Sequence, residues 1–103
     1  MNDMMVANTI KAQLGGGMFT AMTGAKNFVG NQYSLFFKIG RNAKSVTHVE
    51  IMLNGKDLYD MNFYRIRLNK GVPVRTITAT VNDVYFDMLQ DIFTEKTGLY
   101  THF

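Results

Sequence analysis

The sequence predicts an α+β domain, in which an antiparallel sheet of four or five strands carries an N-terminal and a C-terminal helix packed on one face. Three observations support this fold class. Apolar residues recur at four-residue steps near both ends of the chain, which is typical of helices. The segments between alternate apolar and polar residues, which is typical of half-buried strands. Glycine and asparagine turns separate those segments. The length of 103 residues predicts one domain spanning 1–103.

The first predicted element is a helix over residues 4–14, whose apolar side chains recur every four positions. The three glycines at 15–17 end that helix and suit a sharp reversal of the chain. We interpret residues 18–23 as a short strand, which the polar segment 24–27 breaks.

Two alternating segments predict the middle of the sheet. Residues 33–39 place Phe36 and Lys38 on the face opposite the larger apolar set, and residues 46–53 alternate in the same way. The dipeptide Asn54-Gly55 then predicts a hairpin with a type I′ turn, because both of its central positions tolerate positive φ.

The last two strands are expected over residues 58–68 and 72–81. The apolar parity changes near Phe63 and Tyr64, which predicts a β-bulge there. Pro73 favours an edge position for the second of these strands, because proline donates no hydrogen bond to a neighbour.

A closing amphipathic helix is predicted from Asn82, which would be its N-cap, to Gly98, which would end it in a left-handed conformation. Acidic residues occupy every fourth position, so they would form one solvated ribbon on this helix: Asp83, Asp87, Asp91 and Glu95. The apolar tail at 100–103 is expected to dock on the domain.

Composition excludes several classes of function. The chain has no cysteine, which excludes disulfides and thiolate chemistry, and its two histidines are too few to suggest zinc, so we expect no cofactor. A long apolar run and a signal peptide are both missing from the pattern, so no membrane association is expected and a cytoplasmic location is the default. Only 18% of the residues are charged, which leaves apolar surface and favours a homo-oligomer, such as a dimer.

No catalytic pattern emerges from the chain. The segment from Gly15 to Lys26 departs from a phosphate-binding loop, because Ala25 separates Gly24 from the lysine and Asn27 replaces the hydroxyl residue. Neither histidine has an obvious orienting partner, and neither serine lies in a nucleophile motif. The sequence therefore predicts a protein that is not an enzyme.

Basic and aromatic residues on the outward sheet face indicate nucleic-acid binding. Basic side chains follow phosphates and aromatic rings stack on bases, which together bind single strands without reading sequence. The predicted nucleic-acid-binding residues are Lys26, Phe36, Lys38, Arg65, Arg67 and Arg75. Lys26 is included because backbone N–H groups of its glycine-rich loop would help it hold a phosphate.

Three segments resemble a family of small uncharacterised phage and prophage (mobile-element) proteins: LGGGMFTAMTGAKNF at 14–28, NGKDLYD at 54–60 and VYFDMLQDIFTEKTGLYT at 84–101. The resemblance implies a phage or prophage setting, and hence a bacterial host cell, but no site residues. It raises an alternative function, which is a protein-binding module that inhibits or recruits a host protein such as a defence nuclease. Its contacts would use the apolar surface and the terminal helix.

Overall fold

The computed structural model describes residues 4–102 and confirms the α+β class. Five strands form one sheet, and two helices precede it while a 3₁₀ turn and one helix follow it. In chain order the elements are α1 (Met5–Leu14), α2 (Gly16–Thr23), β1 (Lys26–Gly30), β2 (Ser34–Lys38), β3 (His48–Leu53), β4 (Tyr59–Asn69), β5 (Val72–Val84), the 3₁₀ turn Phe86–Met88 and α3 (Leu89–Thr97).

The sheet is an antiparallel meander with the strand order β1-β2-β3-β4-β5. All three helices contribute to a single core on one face, which we call the inner face. Four fully buried rings and aliphatic side chains from both layers fill it: Phe19, Phe37, Phe63, Phe93, Ile10, Leu14, Ile51, Met61 and Leu89. The opposite, outer face carries no helix in the described part of the chain.

The predicted strand over residues 18–23 is wrong, because this segment forms α2. Gly15, at a φ of 124°, reverses the chain directly between the two helices. Phe19 then lies fully buried, with its ring 5.0 Å from that of Phe93 and 5.6 Å from that of Phe37. Thr20 and Thr23 donate hydrogen bonds to carbonyls four residues back, so the polar side chains are accommodated within the helix.

β1 was not predicted as a strand: it begins within the segment 24–27 that was expected to be a break, and it forms the edge strand beside β2. It crosses closely under α1. A side chain at Gly30 would collide with Met4 and would come within 2.8 Å of Ala7 Cβ, so glycine permits this approach.

The hairpin between β3 and β4 is confirmed, although its turn is not type I′. The loop has five residues, and Asp57 rather than Gly55 takes a positive φ, of 61°. The Asn54 Oδ1 accepts hydrogen bonds from the backbone N–H groups of Lys56 and Leu58, at 2.9 and 3.2 Å. The side chain therefore organises the longer loop.

Strands β4 and β5 form a long hairpin that continues past the rest of the sheet. The last residue of β4 that pairs with β3 is Tyr64, opposite His48. Residues 65–76 therefore form a two-stranded arm, which we call the hairpin arm. The predicted irregularity at Phe63 and Tyr64 is confirmed, and the extra residue, Thr78, lies on β5. The predicted edge position of β5 is also confirmed.

The closing helix begins later than predicted. Residues 82–84 still belong to β5, and α3 starts only at Leu89, so Asn82 is not an N-cap. The four-carboxylate ribbon is consequently wrong: Asp83 is on the strand at a φ of 57°, Asp87 is in the 3₁₀ turn, and only Asp91 and Glu95 lie on α3.

The predicted end of α3 is confirmed. Gly98 takes a φ of 81° and its N–H donates to the Thr94 carbonyl at 2.8 Å. In the tail, Thr101 is buried and donates a hydrogen bond to Gln90 at 2.9 Å, so this part docks as expected, whereas Tyr100 is exposed. Phe103 lies outside the described residues.

Candidate nucleic-acid interface

One row of side chains crosses four strands on the outer face. The register pairs Lys26 with Lys38, Lys38 with His48, and His48 with Tyr64. Two like charges directly opposite each other in a sheet are unfavourable. Neither lysine forms a salt bridge with any residue between 4 and 102. The row therefore presents positive charge to solvent that no salt bridge neutralises.

Aromatic rings lie directly beside this row. The ring of Phe36 stacks on that of His48, with centroids 5.3 Å apart and planes inclined by 17°. It also approaches the Tyr64 ring at 6.2 Å. Phe36 is half-buried because it projects from the outer side of β2, while its neighbours Leu35 and Phe37 enter the core.

Tyr64 connects the row to the hairpin arm. The guanidinium carbon of Arg75 lies 4.8 Å from the centre of the Tyr64 ring, a distance at which cations and aromatic rings attract. The Tyr64 hydroxyl donates a 2.9 Å hydrogen bond to Glu50. Burial, followed by the hydrogen bond and charge of Glu50, raises the pKa of Tyr64, so the hydroxyl keeps its proton. We call this set the outer patch: Lys26, Phe36, Lys38, His48, Tyr64 and Arg75.

The six sequence-predicted residues do not all share this face. Lys26, Phe36, Lys38 and Arg75 lie in the outer patch. Arg65 and Arg67 belong to the inner side of the hairpin arm, because Arg75 pairs with the intervening Ile66. The single basic face that was expected on the sheet is therefore divided between two sides of the arm.

Arg67 nevertheless lies close to Lys38, at the edge of the outer patch. It lines an open cleft of about 470 Å³ together with Lys38 and Arg41, between the arm and the loop that joins β2 to β3. Asn42 shapes this loop, since its amide donates to the carbonyls of Gly40 and Val46 at 2.9 and 2.7 Å. Arg65 instead faces a depression beside Glu95 and Lys96 of α3.

Sequence reasoning put His48 on the outward sheet face and Arg41 in a flanking basic loop, but it missed the stacking of His48 on Phe36 and the cleft that Arg41 lines. The alternation of β2 and β3 was a usable signal for the first, because both side chains have outward parity. No local signal indicated the cleft, since its shape depends on how the loop folds against the hairpin arm.

Within residues 4–102 no three histidine or acidic side chains come close enough to hold a metal ion. No helix in the same range is long and apolar enough to cross a membrane.

Comparisons with known proteins add no relative. No family model matches the chain, and neither a curated protein nor a solved structure is significantly similar to it.

Proposed function

We propose that this protein binds single-stranded nucleic acid across the outer patch, as a non-enzymatic accessory protein in the phage or prophage setting that its sequence resemblance implies. The observation that carries the proposal is the half-exposed Phe36 ring beside the unpaired cations Lys26 and Lys38. Stacking platforms flanked by basic groups are how proteins hold single strands.

The layout favours a single strand over a duplex. A ring can stack only on a base that is free of its partner, and Phe36 lies on the sheet face of β2, away from the two-stranded hairpin arm that a duplex groove could admit. Phosphates would follow the cationic row, and a base would lie on Phe36. Glu50 is directly opposite Phe36 on β3, so the phosphate path stays on the side of Lys38.

The substitution Phe36→Ala tests the stacking. It should cost about 1–3 kcal/mol of binding free energy, which is typical of losing one base–aromatic stack. The measurement is fluorescence polarisation of a labelled oligothymidine at low salt, with an unlabelled duplex as competitor.

The matched control is Phe86→Ala. Phe86 is as large and is 62% exposed, but it lies in the 3₁₀ turn at the far end of β5. We expect its affinity to equal that of the unmodified protein. Equal losses for both variants, or no binding at low salt, would rule out the outer patch as the interface.

A protein-binding module is the second candidate function. The observation that favours it is the apolar surface of the hairpin arm, where Leu68 is 73% exposed. In this case affinity capture from a host lysate would yield one stoichiometric protein that resists nuclease treatment, and Leu68→Asp would release it. Capture that disappears with nuclease would favour nucleic acid instead.

A further inference from the structure

The outer edge of β5 is a long strand edge without a partner in the described structure. β5 has thirteen residues and pairs only with β4. Its only charged side chains are Arg75 and Asp83, and most of the others are valine, isoleucine and threonine. Strand edges of this length and composition readily pair with another chain, and on β5 the features that oppose such pairing are limited to Pro73 and to the register irregularities near Thr78 and Asp83.

Charge is separated along the same strand. At the end that carries the hairpin arm, which we call the basic end, lie eight of the eleven Lys and Arg residues: Lys26, Lys38, Arg41, Lys44, Arg65, Arg67, Lys70 and Arg75. The opposite, acidic end carries five of the eight acidic residues: Asp57, Asp60, Asp83, Asp87 and Asp91. In the two segments that form this end, 54–60 and 82–91, the only Lys or Arg is Lys56. Lys56 pairs with Asp83 at 3.2 Å.

The two ends cannot meet within one molecule. Thirteen strand residues span roughly 40 Å, and the longest dimension of the molecule is 40 Å. Both ends also expose apolar side chains. On the inner side of the arm these are Val72 and Val74, and at the acidic end they are Tyr85, Phe86 and Met88.

We propose that two copies of this chain pair side by side through antiparallel β5 strands, forming a twofold dimer with one continuous sheet. This arrangement places the hairpin arm of each copy against the acidic end of the other. It satisfies the open backbone edge, brings opposite charges together and covers apolar side chains at both ends. A twofold contact of this kind closes on itself and does not grow into a filament.

The proposed dimer also brings matching sides of the two copies together. An antiparallel pairing about a twofold axis perpendicular to the sheet keeps the inner faces of both copies on the same side. Arg67 and Val74 are on the inner side of the arm, and the 3₁₀ turn with Asp87 leads directly into α3 on that same side. The inner side of one arm therefore faces the partner's 3₁₀ turn.

Val74→Asp tests this dimer, with Val29→Asp as its control. Both valines are exposed, at 45% and 54%, and both lie on edge strands, but at opposite edges of the sheet. Sedimentation equilibrium should show a dimer of the 11.7 kDa chain whose dissociation constant increases with salt. Val74→Asp should raise that constant by at least roughly tenfold, because it places an acid against the acidic end. Val29→Asp should leave it unchanged.

A charge exchange and a labelling experiment complete the test. Asp87→Lys in the Val74→Asp background should restore part of the dimerisation. Hydrogen exchange of the unmodified protein should show β5 amides that become protected as protein concentration rises, which needs no variant to fold.

A monomer at every concentration, equal weakening by both variants, or β5 protection that appears only with nucleic acid would each overturn the proposal. Because Phe36 is outside this interface, Phe36→Ala should dimerise normally, which separates this test from that of the outer patch.

Discussion

His48 is the residue of the outer patch whose ordinary pKa lies nearest to neutral pH. Its ring stacks on Phe36, and its Nδ1 lies 2.8 Å from the Thr47 hydroxyl. Burial, and then the positive charge of Lys38, lower the pKa of His48 below its ordinary value of 6.5. The ring is therefore neutral at pH 7 and gains its charge only in more acidic solution.

Acidification should consequently strengthen nucleic-acid binding while it weakens the fold. The patch gains a cation as the pH falls through the folded-state pKa of His48, which lies below 6.5. The unfolded chain takes up this proton at higher pH than the folded one, so the contribution of His48 to stability is complete above the unfolded pKa and is lost as pH falls through the folded pKa. Polarisation and denaturant titrations between about pH 5 and 8 measure both effects.

The variant His48→Gln should remove the pH-dependent gain in affinity, whereas His102→Gln, which alters an exposed histidine of the tail, should keep it. A gain that survives in His48→Gln would show that another group is responsible.

At the scale of elements, the contact between α1 and β1 depends on Gly30. Because a Cβ at this position would collide with Met4 and crowd Ala7, Gly30→Ala should lower the free energy of unfolding by about 1–3 kcal/mol, the usual cost of overpacking. The measurement is the midpoint of urea unfolding.

Gly17→Ala is the matched control for that substitution. Gly17 lies within α2, and a Cβ there would meet nothing within 4 Å. Alanine should therefore stabilise the protein by up to about 1 kcal/mol through its helix propensity. If both variants shifted the midpoint in the same direction, the close approach of α1 would not be the cause.

Elements with strong periodicity were predictable from the sequence. The alternation of β2 and β3 placed Leu35, Phe37 and Val49 in the core and Phe36 outside it, as the structure confirms. Gly98 ended α3 as expected, because a left-handed residue is needed there.

Short apolar segments were not predictable in this way. Residues 18–23 carry too few positions to distinguish a helix from a strand, and the burial of Phe19 between Phe37 and Phe93 decides for α2. The acidic spacing that indicated a helix from Asn82 was overridden because Val84 still pairs with Tyr59 of β4. Pairing between distant segments is the information that local patterns lack.

The candidate site was predictable only in part for the same reason. Outward parity identified Phe36 and Lys38, but the row that joins Lys26 to Lys38 exists because of strand register, and β1 itself was not expected. The separation of Arg65 and Arg67 from Arg75 follows from the register of β4 and β5.

For the whole molecule, the separation of charge predicts that the affinity for an oligonucleotide depends on where a positive charge is removed more than on the net charge of the protein. Lys38→Gln and Lys56→Gln each remove one positive charge, but the first is in the outer patch and the second is at the acidic end. Lys38→Gln should weaken oligonucleotide binding and reduce the slope of affinity against salt by about one.

Lys56→Gln should leave both quantities nearly unchanged. It also should not alter stability measurably, because its exposed pair with Asp83 contributes little. Equal effects of the two substitutions in salt-dependent polarisation titrations would mean that only overall charge drives the association.

The meander order of the sheet has a consequence for how the chain acquires its structure. Each strand pairs with its neighbour in sequence, so assembly can proceed hairpin by hairpin with short loop closures. Contacts between α1 and α3, such as the hydrogen bond from Gln90 to the Gln13 carbonyl, can form only after all five strands have been synthesised. During synthesis the first strands therefore have their partners soon after leaving the ribosome, and docking of α3 on α1 comes after the whole sheet has been made.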